Sequence, residues 1–519
     1  MQRLRVACIS RDVDTPGLPQ RPSRRTLLLL ALLAGAQFGA GTARGSETSS
    51  VRDMAAGAVV APPMPATSAT DAYTEFRQAF DSGKYAAAVP PAQRVLQLAE
   101  QQAREPAAED VQVALMNLAF TQYLAGDYVA AESSFLRAIE LVQVSGRPLH
   151  KRLARAYAGL ATTYHAALRH DLAVANFEQA IALTRRHEGL LTEQQLPLIE
   201  KYIDSLTELG RYADALQAQR YVLRIATRKH GESGVGLVPT LEEIGAWYAE
   251  VAAYDQSRRV LKRAIEIVER AEGAQSPKLI GPLVALAACN RRQLLDPTQQ
   301  PIVTMPDAGR STMFQDPAVS GVGNYSPAVL LGEGEKALTR AAAIAEGRPD
   351  ASPAQVADVR TQLGDWYQGR GQPERALPHY RLAWQAATST DTRVEGKPLV
   401  EVLFGQPVLL QIARPGEWNR YAERPRQEIE VRNVAIDLTV DAEGRPQQGK
   451  VVDDSGDARR AERTLDAIRT ARYRPRFAQG EPAATPGVVY SQPWIVPIEQ
   501  QPQDEAKAVA GKPAAQGGS

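Results

Sequence analysis

Between residues 71 and 390 the apolar positions return at steps of three and four, the spacing that gathers side chains on one face of an α-helix. Tyr128, Ala131, Phe135, Ala138, Ile139 and Val142 make one such face, and Leu115, Leu118, Ala119 and Gln122 make another, mostly apolar, just upstream. Gly126-Asp127 interrupts the pattern between them, as Gly210-Arg211 does further on. The pair therefore reads as a helix hairpin, and the hairpin recurs. A tyrosine opens the second helix at Tyr85, Tyr128, Tyr212 and Tyr254, with His170 in the third slot, at steps of 43, 42, 42 and 42 residues. Ala88, Ala131, Ala173, Ala215 and Ser257 follow three residues on, and Val95, Ala138, Ala180, Val222 and Ala264 ten residues on. In the first helices Leu118-Ala119, Leu160-Ala161, Tyr202-Ile203, Ile244-Gly245 and Leu286-Ala287 keep the same period. One hairpin cannot bury both its faces, whereas stacked neighbours can, so the pattern predicts an α-solenoid over residues 71–390. The recurrent alanines mark the places where two helices approach closely.

The last copy carries Leu363-Gly364, Tyr367, Ala376, Tyr380 and Ala383. From Ala287 to Gly364 is 77 residues, yet a step of 42 back from Pro373, Ala376, Tyr380 and Ala383 lands on the helical face Leu331, Gly334, Leu338 and Ala341. The sixth repeat is therefore predicted to be split, with helices near 277–295 and 328–346 and an insertion loop at 296–328. A loop of that length is either solvated or functional. Met305, Met313, Phe314 and Tyr325 would let it fold over a groove or dock a partner.

Beyond Thr390 the period changes to two. Val434, Ile436, Leu438 and Val440 alternate with smaller or polar residues, as in a half-buried strand. Ile429 and Val431 fall on odd numbers, which predicts a bulge or break near Asn433. Asp441–Gly444 is a turn, Val451-Val452 belong to a second strand, and Ala461, Leu465, Ile468 and Arg472 form a helix that Asp457 would cap. Val488, Tyr490, Trp494 and Val496 make a last strand. Pro493 within it marks an edge, because proline cannot donate to a ladder. An open edge accepts a partner strand through its backbone, which makes these four residues candidates for strand addition. This small α/β unit spans 395–498, and residues 499–519 read as a disordered tail.

The hairpins resemble the tetratricopeptide repeat. The likeness rests on the Leu-Ala and Leu-Gly pairs, on Tyr164, Tyr248 and Tyr367, on the Gly-x-Tyr turns, on Phe135, Phe177 and Tyr380, and on the alanine slots. The long period and the stretch at 265–279 look like the kinesin light chain variety. The resemblance implies that the first helices line a concave face that takes protein or peptide. On that face it places Met116, Phe120, Tyr123, Thr162, His165, Glu200, Asp204 and Glu242. The run 440–483 resembles the C-terminal domain of TonB-type proteins. Its correspondences are the Asp-x-x-Gly turn at 441–444, Asp454-Ser455-Gly456, the helix ending Ile468–Arg472, Tyr473-Arg474-Pro475 and Gly480-x-Pro482. Ala471 stands where that family often has tryptophan, and the chain lacks the family's long proline-rich spacer. The fold class expected is thus an α-solenoid of tetratricopeptide-like hairpins followed by a small α/β TonB-C-like domain. The implied partners are proteins or peptides of the cell envelope, an outer-membrane receptor among them.

Residues 1–43 read as an export signal: basic residues, an apolar run from Leu27 to Ala34, then small residues up to Ala43. The run is much shorter than the ~20 apolar residues that span a bilayer. The competing reading is an uncleaved anchor. Ser23-Arg24-Arg25-Thr26-Leu27-Leu28 also resembles a twin-arginine signal. Residues 44–70 read as a flexible linker.

Composition adds little chemistry. In 519 residues, 60 basic side chains balance 59 acidic ones, without the basic excess that a nucleic-acid partner requires. Cys8 falls in the export signal, and Cys289 has an apolar helical context that predicts a small core residue. Of the six histidines only His165 and His170 are close, and a spacing of five sets them on different sides of a helix. No metal-ligand pattern, phosphate loop or nucleophile motif stands in the sequence, and no cofactor is expected. The expectation is a non-enzymatic periplasmic adaptor. The alternatives are a transducer held at the inner membrane, and an enzyme or cofactor carrier as twin-arginine export would suggest.

Overall fold

The computed structural model describes residues 67–145, 151–296 and 326–498, apart from residues 349, 395, 414, 417–419, 421–427 and 455. The expected export signal, nearly all of the linker, most of the insertion loop and the tail lie outside the described residues.

Among the described residues, fourteen helices pair into seven hairpins. They are α1 (Thr67–Asp81) with α2 (Tyr85–Gln102), α3 (Glu109–Leu124) with α4 (Tyr128–Val144), and α5 (Lys151–Ala166) with α6 (His170–Glu188). Then come α7 (Leu196–Glu208) with α8 (Tyr212–His230) and α9 (Val238–Glu250) with α10 (Tyr254–Glu272). The last two are α11 (Ile280–Leu295) with α12 (Pro327–Glu346), and α13 (Pro353–Gln368) with α14 (Pro373–Thr388). Five second helices begin on the residue that the period marks: Tyr85, Tyr128, His170, Tyr212 and Tyr254. The alanine slots are the tightest points of the stack, and Ala88, Ala131, Ala173, Ala215, Ala264, Ala341, Ala376 and Ala383 are fully buried. Gly364 shows why they must be small: a Cβ there would collide with the Tyr380 ring.

In the six hairpins whose turn is described, that turn holds one residue in the left-handed region. Gly83 (φ +72°), Gly126 (+82°), Gly210 (+71°) and Gly371 (+70°) fill that slot, and Leu168 (+59°) and Ala252 (+57°) fill it without the freedom of glycine. α11 and α12 pack as one hairpin across the insertion, and Asn290 Nδ2 donates to Leu330 O at 3.3 Å and to Glu333 Oε2 at 2.8 Å.

Past α14 come β1 (Arg393–Val394), β2 (Lys397–Pro398), α15 (Leu399–Phe404), β3 (Val408–Gln411), β4 (Ile429–Val440), β5 (Pro446–Asp453) and α16 (Ala458–Arg469). Then follow β6 (Arg472–Arg474), β7 (Arg476–Ala478), β8 (Glu481–Ala483) and β9 (Thr485–Pro497). β5, β4 and β9 form an antiparallel sheet in that order. α16 packs against it over a core of Val434, Ile436, Leu438, Val440, Ile468, Tyr473, Tyr490 and Trp494. Asp457 caps α16, accepting from the Arg459 and Arg460 amides. Against β9 there is no break near Asn433: β4 pairs with it in unbroken register from Ile429↔Pro497 to Leu438↔Val488, and Ile429 and Val431 are half-buried members of the same strand. Against β5 an irregularity does fall close to the expected place, between Ala435 and Ile436, with a second between Asp437 and Thr439.

This unit docks on the last hairpin. Tyr380, Phe404 and Phe477 meet as an aromatic cluster with centroids 4.9–6.0 Å apart. Leu399, Leu403, Phe404 and Phe477 belong to the solenoid's own core, which therefore continues past α14. Gln368 Nε2 donates to Glu443 O (2.7 Å) and Tyr473 O (2.8 Å). Gly444 (φ +74°) permits that approach, since a Cβ on it would run into Tyr473 O and Gln368 Nε2. Buried Arg474 lies 3.6 Å from Asp365, which also accepts from the Tyr380 hydroxyl at 2.9 Å. At the rim Arg381 makes a two-pronged ion pair with Glu481.

Candidate functional site

Among the described residues, first helices of neighbouring hairpins touch one another along much of the stack, at α3–α5, α5–α7, α9–α11 and α11–α13, while the second helices make no comparable contact. Trp247 Nε1 on α9 donates to Thr207 Oγ1 on α7 at 3.0 Å. The first helices therefore line the inner side of the curve.

The structure divides the expected groove residues into two groups. Met116, Phe120 and Thr162 are core, not groove. α3 is enclosed by α2, α4 and α5, and nearly every residue from Val111 to Gln122 is buried. Phe120 packs edge-on against Phe135 at 5.1 Å, and the Thr162 hydroxyl turns back to donate to Ala158 O at 2.7 Å. Tyr123 is half-buried against Tyr128. His165 and His170 are not separated around a helix. Their helix ends between them, at the left-handed Leu168, and the rings meet at 5.5 Å. His165 Nδ1 lies 2.9 Å and His170 Nδ1 3.4 Å from Ser205 Oγ on α7. Among the described residues no group of three or more His, Cys, Asp or Glu is placed to hold a metal ion. Cys289 is buried in the core as expected, with its thiol pushed up by burial.

The second group forms an acidic stretch of the inner wall. Glu200 and Asp204 lie on α7, and Glu242 lies on α9 beside Glu243, which sequence reasoning passed over. Glu200 opens onto the groove, but the inner helices on either side desolvate its carboxyl, and this, followed by the charges of Glu243 and Asp204, pushes it up to about 7. Burial and then Glu243 do the same to Glu242, also to about 7, and burial raises Glu243. Gly281 at the start of α11 leaves the room into which the Glu242 carboxylate points, since a Cβ there would strike it. Arg155 on α5 is half-buried, and burial with the neighbouring Arg152 lowers its pKa. Asp358 on α13 is raised by burial and accepts from Gln362 at 2.9 Å. The signal for these three was the repeat itself: Arg155 holds on α5 the slot that Gly281 holds on α11, and Glu243 and Asp358 recur in phase with other inner-face positions.

The expected strand-addition residues lie on β9, which among the described residues pairs only with β4 and forms one edge of the sheet. Tyr490, Trp494 and Val496 are buried beneath the sheet, and Val488 is half-buried. What β9 offers a partner is thus its backbone, with Val489, 61% exposed, on the outer face.

The described residues form a helical solenoid of stacked hairpins that continues into a β-containing unit. The tetratricopeptide repeat family matches residues 110–186, and the chain carries such repeats in a helical solenoid. No curated protein matches the sequence. Among solved structures, the chain is similar to the TPR-like repeats of a Podosopora anserina kinesin light chain, at 16% identity and TM-score 0.35, over 39% of this chain and 96% of that one. It is similar to BtubC (BKLC) from P. vanneervenii at 15% identity and TM-score 0.27, over 59% of this chain and 93% of that one. A third similarity is to the apo form of the quorum sensor NprR from B. thuringiensis, at 14% identity and TM-score 0.32, over 62% and 89% of the two chains. None of these matches indicates a catalytic family.

Proposed function

We propose that this protein is a non-enzymatic periplasmic scaffold. Its solenoid takes an extended peptide segment of a protein partner, and its TonB-C-like C-terminal unit engages a second envelope protein by strand addition at β9. The observation that carries the reading is the run of inner-wall carboxylates on adjacent helices, Glu200, Asp204, Glu242 and Glu243, which favours a segment bearing lysine or arginine. The exposed Val489 and the outer edge of β9 support the second contact. The apolar run at Leu27–Ala34 supports export.

A photo-crosslinker placed at Glu242 in the full chain should capture a partner in envelope extract. The same group at Val129, 81% exposed on the outer α4, should not. Equal capture from both positions refutes the groove. A mature protein that begins near Arg44 in the periplasmic fraction supports the exported form, and a retained Leu27–Ala34 run in the inner membrane supports the transducer alternative.

A further inference from the structure

The docking of the C-terminal unit leaves a cleft of about 400 Å³ between it and the solenoid, within the roughly 300–1,000 Å³ that small-molecule sites occupy. Its walls come from the ends of α11 and α13, the start of α12, and strands β3 and β6. Leu294, Leu295, Leu331 and Leu410 give it an aliphatic surface. Three guanidinium groups line it: Arg291, Arg370 and Arg472. Arg370 pairs with Glu335 at 3.2 Å. Arg291 has no carboxylate partner among the described residues, and Arg472 donates only to the adjacent carbonyls of Thr470 and Ala471. The one acid of the wall, Asp365, is already engaged by Tyr380 and Arg474. Trp366 also belongs to the wall. Two guanidinium forks without a counter-charge among the described residues, beside an aliphatic surface, call for an anion with an apolar body.

We propose that this cleft binds a carboxylate carried on a short aliphatic group, with Arg291 and Arg472 holding the carboxylate and the four leucines its tail. The site lies at the ends of α11 and α13 and shares no residue with the acidic stretch on α7 and α9 or with β9. The carboxylate comes either from a free aliphatic acid or from a peptide C-terminus that ends in leucine.

Isothermal titration calorimetry on the full chain tests it, with octanoate, octan-1-ol, inorganic phosphate, a tripeptide ending in leucine and its C-terminal amide. Octanoate or the free-acid tripeptide should bind at one site, and the tighter of the two names the source. Octan-1-ol, phosphate and the amide should bind at least tenfold more weakly. Arg291→Gln and Arg472→Gln should each lower affinity at least tenfold. Binding should also change tryptophan emission, and Trp366→Phe should remove that change, a readout that does not depend on how the arginine variants fold. Three results overturn the proposal: no saturable heat with either acid up to about 1 mM, equal affinity for octanoate and octan-1-ol, or unchanged affinity in both arginine variants.

Discussion

Replacing Leu168 by glycine and, separately, by alanine isolates the backbone demand of the hairpin turn. Leu168 stands at φ +59° in the slot that Gly126 and Gly210 fill at +82° and +71°. The turn is otherwise the same: Arg169 N donates to Tyr164 O at 2.8 Å, as Asp127 N does to Gln122 O at 3.0 Å and Arg211 N to Leu206 O at 2.8 Å. An L-residue in the left-handed region costs roughly 1–2 kcal/mol. Glycine avoids that cost and loses about 0.5–1 kcal/mol of unfolded-chain entropy relative to alanine. The side chain is 77% exposed, and both variants lose the same small burial. Leu168→Gly should therefore be more stable than Leu168→Ala by about 0.5–1 kcal/mol, the reverse of the order at an ordinary helix position. Gly126→Ala should destabilise by a similar amount, and since nothing lies within 4 Å of the added Cβ, the effect is backbone strain alone. Urea unfolding followed by helical circular dichroism reads the difference as a midpoint shift of a few tenths molar. An alanine variant as stable as the glycine variant refutes the argument.

Arg474→Leu leaves the buried Asp365 without its cation and should cost about 3–5 kcal/mol in thermal or urea unfolding, whereas the double variant Asp365→Leu, Arg474→Leu should recover much of the loss; a double variant no better than the single one refutes this account. Gly444→Ala drives a methyl group into Tyr473 O and Gln368 Nε2 and should cost about 2 kcal/mol, with faster proteolysis of the C-terminal unit as the second readout. Glu200 and Glu242 keep their protons up to about pH 7 in the fold but release them near 4.5 when unfolded. The folded state therefore binds more protons across that window, so their contribution to stability is full below about 4.5 and is lost as pH rises through about 7. The melting temperature should fall across the window, and Glu242→Gln should flatten the fall.

The features legible in the sequence are those that repeat or act locally. The helix starts at Tyr85, Tyr128, His170, Tyr212 and Tyr254, the closed hairpin α11–α12 and the Asp457 cap all follow from spacing within a few dozen residues. What the sequence hid depends on curvature or on distant contact. Whether an inner-face residue is floor or core turns on how closely the flanking hairpins approach, which is why Met116 and Phe120 are buried while Glu200, at the slot of Met116, is exposed. The spacing of His165 and His170 misled because a turn, not a helix, joins them. The pairing of Asp365 with Arg474, more than a hundred residues apart in the chain, leaves no periodic trace.

The docking contacts bear on how the two halves can be tested. The turn 441–444 and Tyr473-Arg474-Pro475, the stretches that look most like a separate C-terminal domain, are the ones that hold Gln368 and Asp365 of the last hairpin. Phe404 and Phe477 complete the packing around Tyr380, which is buried on all sides. Deleting residues 395–519 would therefore strip the cover from α13 and α14 and expose the end of the solenoid core. In a repeat array an uncovered terminal hairpin frays and weakens its neighbour, so a partner lost on such a deletion reports on the solenoid as much as on β9. A charge placed at Val489, exposed on the edge strand, separates the two: it should abolish strand addition while thermal unfolding of the hairpins stays where it was.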